Sequence, residues 1–208
     1  MNKWETIGKI RSSRIVAIVR ERDPEVAYRV AMACAEGGLE CIEVALTTPL
    51  GLDVIESLAK EPRLTVGAGT VLDAETARAA IAAGASFLLS PAVDADVIRT
   101  GSRHGVVTVP GAFSPTEVVA ALQAGADIVK VFPADLLGPR HVQSMAAPLP
   151  QAVFLPSGGV DLDNFRDWFV PGVIGVGIGG ALTSTALQGD YAAIAGKARR
   201  FAEAARAM

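Results

Sequence analysis

Two charged residues sit where strand-like runs should be apolar. Lys130 lies inside Asp127-Ile128-Val129-Lys130-Val131-Phe132, and Glu43 lies inside Cys41-Ile42-Glu43-Val44-Ala45-Leu46. Side chains alternate between the two faces of a strand. Val129 and Val131 therefore form one set, which leaves Ile128, Lys130 and Phe132 on the other. In the same way Ile42, Val44 and Leu46 separate from Cys41, Glu43 and Ala45. An inward carboxylate is costly without a partner, and a lysine on another strand supplies one. An amine and a carboxylate so placed can act as nucleophile and general acid/base. The alternatives are an ammonium that snorkels to the rim and a buried structural Lys–Glu pair.

Further polar groups gather at the ends of such runs. Arg20 follows Val16 and Ile18 in register, which aims it at the same mouth, where a guanidinium suits a carboxylate. Arg22 reads as a solvated loop charge. Thr70 ends Val66-Gly67-Ala68-Gly69-Thr70, whose glycines either admit a ligand to the backbone or simply make a turn. Gly158-Gly159 and Gly179-Gly180 follow the last two runs. Backbone N–H groups at such turns hold phosphate, and tight strand-to-helix turns are the other reading. His104 precedes a strand and His141 falls in a helical stretch, so no His/carboxylate metal cluster is expected. Rossmann and P-loop fingerprints are missing too.

These residues need a scaffold that brings strand ends together. Eight Val- and Ile-rich runs recur about every 23 residues, at 14–20, 40–46, 64–70, 86–90, 105–110, 127–133, 152–157 and 173–179. Helical patterns separate them. Asp23-Pro24-Glu25 and Ser114-Pro115-Thr116-Glu117 are helix starts, Asp73 and Asp161 are N-cap candidates, and Gly37-Gly38, Gly84 and Gly125 are helix stops. Strict alternation predicts a parallel sheet with helices outside, and eight units predict a (β/α)8 TIM barrel over residues 1–208 as one domain. An open doubly wound sheet is the second reading. Trp4, Ile7 and Ile10 share a helical face, so the N-terminal helix is expected to close the barrel bottom.

Composition narrows the partners. Hydrophobic residues make up 50% and charged residues 20%, which fills a core and excludes a disordered chain. Nineteen basic against twenty-two acidic residues exclude a broad nucleic-acid binder. No apolar run reaches the roughly 18 residues that span a bilayer, so no membrane partner is expected. MNKWETIGKI lacks the apolar core of a signal peptide, and Cys34 and Cys41 read as buried thiols in a reducing compartment. A cytoplasmic location is the expectation.

Taken together, GLECIEVALTTP, VGAGTVLDAE, LLSPAVD, VPGAFSPTE, DIVKVFPADLLGP, FLPSGGVDLDNF and VGIGGAL resemble the 2-keto-3-deoxy-6-phosphogluconate (KDPG) and 4-hydroxy-2-oxoglutarate (KHG) aldolase family, including its 6-phosphogalactonate-type members. The segments run in the family's order over nearly the whole chain. The resemblance implies a class I aldolase on a (β/α)8 barrel, homotrimeric, with no cofactor and no metal. Its small-molecule substrate would be a 2-keto-3-deoxy-6-phospho sugar acid, cleaved to pyruvate and glyceraldehyde 3-phosphate, with 4-hydroxy-2-oxoglutarate a further candidate. The resemblance places the Schiff-base lysine on Lys130 and the acid/base glutamate on Glu43. It puts the pyruvate-site threonine on Thr70 and apolar walls on Pro91 and Phe132. Some members carry a carboxylate-binding arginine four residues after the glutamate, where this chain has Thr47; others carry it at the end of strand one, as Arg20 does. Ser157 keeps the hydroxyl of a common threonine, whereas Gly180 lacks that of a common serine. Gly158, Gly159, Gly179 and Gly180 are the implied phosphate contacts. The competing functions are a phosphate-binding barrel isomerase or epimerase, with Lys130 and Glu43 as proton carriers, and a non-catalytic ligand-binding barrel.

Overall fold

The structure, a computed structural model, describes residues 2–186 and 189–208. Its strands are β1 (Ile15–Val19), β2 (Cys41–Ala45), β3 (Thr65–Gly69), β4 (Phe87–Leu89), β5 (Val107–Val109), β6 (Gly111–Ala112), β7 (Val129–Val131), β8 (Phe154–Pro156) and β9 (Val176–Ile178). Its helices are α1 (Lys3–Ser13), α2 (Pro24–Glu36), α3 (Gly51–Ala59), α4 (Ala74–Ala82), α5 (Ala95–Arg103), α6 (Pro115–Ala124), α7 (Gly138–Ala146), α8 (Gly180–Thr183) and α9 (Tyr191–Arg206).

This is an α/β fold in which every strand pair is parallel. Six strands form one sheet in the order β5-β4-β3-β2-β1-β9, and three form another in the order β6-β7-β8. The break falls at Pro110, which has no N–H to donate to a ladder. The sequence run at 105–110 thus yields β5, and β6 follows beyond it, although the Pro110 carbonyl still accepts the Lys130 N–H at 2.8 Å. At the other edge, isolated parallel bridges join Phe154 to Val173 and Ser157 to Gly177. A Cβ on Gly177 would lie 2.7 Å from Ser157 Oγ, so this approach needs a glycine.

Alternation divides the strands into two cores. Ala17, Val19, Ile42, Val44, Val129, Val131 and Ile178 pack with the helices. Val16, Cys41, Phe87, Leu89, Val107, Val109, Ile128 and Leu155 form a smaller cluster on the opposite face. Ile10 of α1 is fully buried in that second cluster and Ile7 packs against it. Lys3 adds an ion pair to Asp127 at 2.9 Å, and Asp127 in turn accepts the backbone N–H and hydroxyl of Thr108. Trp4 departs from the sequence expectation. It is 79% exposed, one turn before Ile7 and Ile10, which do pack on the second cluster.

The helix starts follow their sequence signals. Asp23 caps α2 with Pro24 at its first turn, Asp73 caps α4, and Ser114 and Glu117 close a capping box on α6. Asp161 differs. Its Oδ1 accepts the N–H groups of Asp163 and Asn164, which tightens a turn before a short 3₁₀ helix at Phe165–Trp168. Gly37 ends α2 and Gly125 ends α6, while Gly84 takes a left-handed φ one residue beyond the α4 cap. Cys34 and Cys41 are buried and free, and burial pushes each thiol up to about 12. No helix among the described residues is long and apolar enough to cross a membrane.

Candidate active site

Lys130 projects from β7 on the face opposite Val129 and Val131, as its spacing requires. It is buried, and its Nζ lies 4.7 Å from the centre of the Phe132 ring. It makes no ion pair among the described residues. Glu43 projects from β2 between Ile42 and Val44 and is 1% exposed. Its Oε2 has no hydrogen-bond partner. Burial pushes the Glu43 carboxyl above the ordinary carboxylate range, while the Lys130 and then the Arg20 cations pull it back. The two groups feel each other across the strands without touching, so the structural salt bridge that the sequence left open is not formed.

The space for Glu43 comes from β3. An ideal Cβ on Gly69 would sit 1.6 Å from Glu43 Oε1, and one on Gly67 would run into the Phe87 ring at 2.2 Å. These glycines make room for neighbouring side chains rather than for a ligand, which differs from both sequence readings of that segment.

Arg20 extends from the end of β1 and points across the mouth. One guanidinium nitrogen donates to Thr47 Oγ1 at 2.8 Å and the other to Thr70 Oγ1 at 3.2 Å. Thr70 holds this position with φ 60°, a left-handed backbone that a β-branched residue rarely adopts. Such strain costs on the order of 1–3 kcal/mol and persists where surrounding structure imposes it.

A cavity of about 670 Å³ opens at these strand ends. Its wall contains Arg20, Thr70, Pro91, Lys130, Phe132, Ser157, Gly158, Gly159, Gly179 and Gly180, while Glu43 lies behind the lining. The structure therefore gathers ten of the eleven residues singled out from sequence around one space and places the eleventh beside it. Ile18, Val160, Asp161, Gly177 and Ala181 complete the wall. Sequence reasoning gave Asp161 only a capping role, although its place two residues after Gly159 was a usable signal. Among the described residues, the N–H groups of Gly159, Val160, Gly180 and Ala181 donate no hydrogen bond. Four free donors beside glycine turns suit an anion. The cations sit elsewhere on the wall, at Arg20 and Lys130. His104 caps α5, and His141 meets Phe113 at its carbonyl; neither lines this cavity. No group of three metal-ligating side chains occurs among the described residues.

The same chain matches the family model for KDPG and KHG aldolases over residues 6–196. It is 37% identical over 202 residues to a 2-dehydro-3-deoxy-phosphogluconate aldolase of Pseudomonas aeruginosa, covering 93% of this chain and 91% of that protein. It is 33% identical over 172 residues to a 2-dehydro-3-deoxy-6-phosphogalactonate aldolase of Escherichia coli K12, covering 81% and 83%. Among solved structures it is similar to a Legionella pneumophila KDPG aldolase with pyruvate captured as a covalent carbinolamine intermediate. There the TM-score is 0.86 at 26% identity, with 93% of this chain and 96% of that one covered. The chain therefore belongs to the KDPG and KHG aldolase family, whose members are lyases.

Proposed function

We propose that this protein is a class I aldolase that cleaves a 2-keto-3-deoxy-6-phospho sugar acid, the gluconate-derived acid or its galactonate epimer, to pyruvate and glyceraldehyde 3-phosphate. 4-Hydroxy-2-oxoglutarate, cleaved to pyruvate and glyoxylate, fits the same chemistry. The observation that carries this reading is the Lys130 amine. It faces a cavity free of any ion pair, with the Glu43 carboxylate buried close enough to feel it. The covalent pyruvate of the Legionella relative supports the amine's role as nucleophile.

In this mechanism the neutral amine of Lys130 adds to the C2 ketone. The carbinolamine loses water and becomes an iminium. Glu43, directly or through a water, takes the C4 hydroxyl proton, and the C3–C4 bond breaks. The bonding electrons pass to the iminium nitrogen, which gives an enamine and releases the aldehyde. Protonation at C3 and hydrolysis by one water then free pyruvate and restore Lys130. Arg20, braced by Thr47 and Thr70, pairs with the C1 carboxylate. Phe132 and Pro91 form apolar walls. Ser157 and the free N–H groups of Gly159 and Gly180, with Gly158 and Gly179 beside them, receive the phosphate. No cofactor or metal enters these steps.

Around this site we infer one (β/α)8 barrel spanning residues 1–208, closed where β5 continues into β6 and where β8 bridges to β9, with α1 over its bottom. A cytoplasmic homotrimer is the expected form, with no nucleic-acid or membrane partner. The test is incubation with pyruvate and borohydride, followed by mass spectrometry. A reduced pyruvyl adduct on Lys130 is expected, and Lys130→Ala should lose both the adduct and aldol cleavage while staying folded. Substantial cleavage by purified Lys130→Ala would overturn the Schiff-base assignment.

A further inference from the structure

We infer that Thr47 is a positioning residue for the 2-keto acid carboxylate, acting through Arg20. The inference rests on the aldolase reading above. Thr47 is not part of the cavity wall, whereas the Arg20 side chain it touches is. A guanidinium carries its donors in a rigid plane, and two hydroxyls grip that plane from two strand ends. Thr47 Oγ1 after β2 accepts from one terminal nitrogen at 2.8 Å, and Thr70 Oγ1 after β3 accepts from the other at 3.2 Å.

A second observation fixes the base of the same arm. Thr48 Oγ1 is buried and accepts the backbone N–H of Glu21, the residue that follows Arg20, at 3.2 Å. The Thr47-Thr48 pair therefore ties down both the head of the Arg20 side chain and the backbone beside its root. Arg20 is otherwise solvent-exposed, and a free arginine loses much rotamer freedom when a ligand orders it. With its plane preset, that ordering is complete before the carboxylate arrives, and the remaining N–H groups are left to make a bidentate contact. Thr70 shares the grip, but it also lines the cavity, so only Thr47 isolates the positioning effect.

The experiment measures the pyruvate concentration that gives half-maximal borohydride trapping on Lys130. Thr47→Val keeps the shape and removes the acceptor. It should raise that concentration about three- to tenfold, the range one hydrogen bond supports, with the limiting trapping rate unchanged. Methyl pyruvate, a ketone without the carboxylate, should show no change, and Thr47→Ser should restore the wild-type value. In an Arg20→Ala background Thr47→Val should add nothing. Equal weakening of pyruvate and methyl pyruvate, or a further loss without Arg20, would show a general loosening of the loop and overturn the inference. So would a wild-type value for Thr47→Val. Absence of any adduct on the wild-type protein would remove the aldolase reading and this inference with it.

Discussion

Gly69→Ala should remove the acid/base chemistry while leaving the fold standing. The added Cβ would lie 1.6 Å from Glu43 Oε1, 2.4 Å from Cδ and 2.8 Å from Cγ. Non-bonded atoms settle near about 3.5 Å, so the carboxylate must retreat by roughly 2 Å. The atoms it meets are the far end of a flexible side chain, so the backbone need not break. Glu43 is fully buried, however, and has no solvent to swing into. A misplacement of about 1 Å can cost on the order of 10²-fold, and loss of proton transfer about 10²–10⁴-fold. The expected fall in kcat is therefore about 10²–10⁴-fold, read by coupling pyruvate release to lactate dehydrogenase. Overpacking costs about 1–3 kcal/mol, which for a chain of this size lowers Tm by about 2–12 °C. Borohydride trapping of pyruvate should survive, because Lys130 is untouched. Gly67→Ala is the control: its Cβ meets the Phe87 ring instead, so stability should fall without the same loss of kcat. A folded Gly69→Ala enzyme with kcat within a few-fold of wild type would refute the placement of Glu43 as acid/base.

Two other perturbations test the charges. Glu43→Gln should lower kcat by about 10²–10⁴-fold. It should also change stability in a pH-dependent way. Burial raises the folded pKa above the ordinary carboxylate value, so the stability owed to Glu43 is complete below the unfolded pKa and is lost as pH rises through the folded one. The Tm difference, Gln minus Glu, should thus be small near pH 4 and grow to a plateau at higher pH; a difference flat in pH would contradict the buried carboxylate. Gly180→Ser should fit without strain, since nothing lies within 4 Å of its Cβ and its φ is not left-handed. One added hydrogen bond of ~1 kcal/mol should raise kcat/KM about fivefold for the 6-phosphorylated substrate alone, and an equal gain for the unphosphorylated acid would place the phosphate elsewhere.

The βα alternation, the parallel pairing and the shared aim of Lys130 and Arg20 at one cavity were legible because each follows from a local pattern. A two-residue period decides which face a side chain takes, and helix caps such as Asp23, Asp73 and Ser114 are written within four residues. What the sequence left open depended on pairs far apart along the chain. The clearance between Gly69 and Glu43 needs the register of β3 against β2. The grip of Thr47 on Arg20 needs two loops to meet. Sequence comparison marked Thr47 as a missing charge, whereas the structure shows a hydroxyl that accepts a hydrogen bond from Arg20. Trp4 failed for a related reason: helical periodicity says which residues share a face, and not how far along the helix the partner extends. The split at Pro110 could be foreseen from its missing N–H, and it leaves the inward sequence Val107, Val109 unbroken.

The inner face also explains how two charges come to be buried without an ion pair. Its lower layer is apolar, with Val16, Cys41, Ile128 and Leu155 in one cluster with Ile10 of α1. One strand repeat further on, about 6.6 Å higher, the same four strands present Ile18, Glu43, Lys130 and Ser157. The two-residue period thus converts four apolar floor positions into three polar groups and one isoleucine at the level of the cavity. A closed floor keeps water from reaching Glu43 from below, which is the burial that raises its pKa. The open mouth leaves Lys130 on the cavity wall. Moving either charge one repeat down, to the position of Cys41 or Ile128, would bury it in the apolar cluster with no cavity to serve, at the cost of several kcal/mol per ion. Depth along the strand therefore decides whether these residues are chemistry or instability, and Lys130 and Glu43 stand at the one level where burial tunes a carboxylate and substrate can still reach an amine.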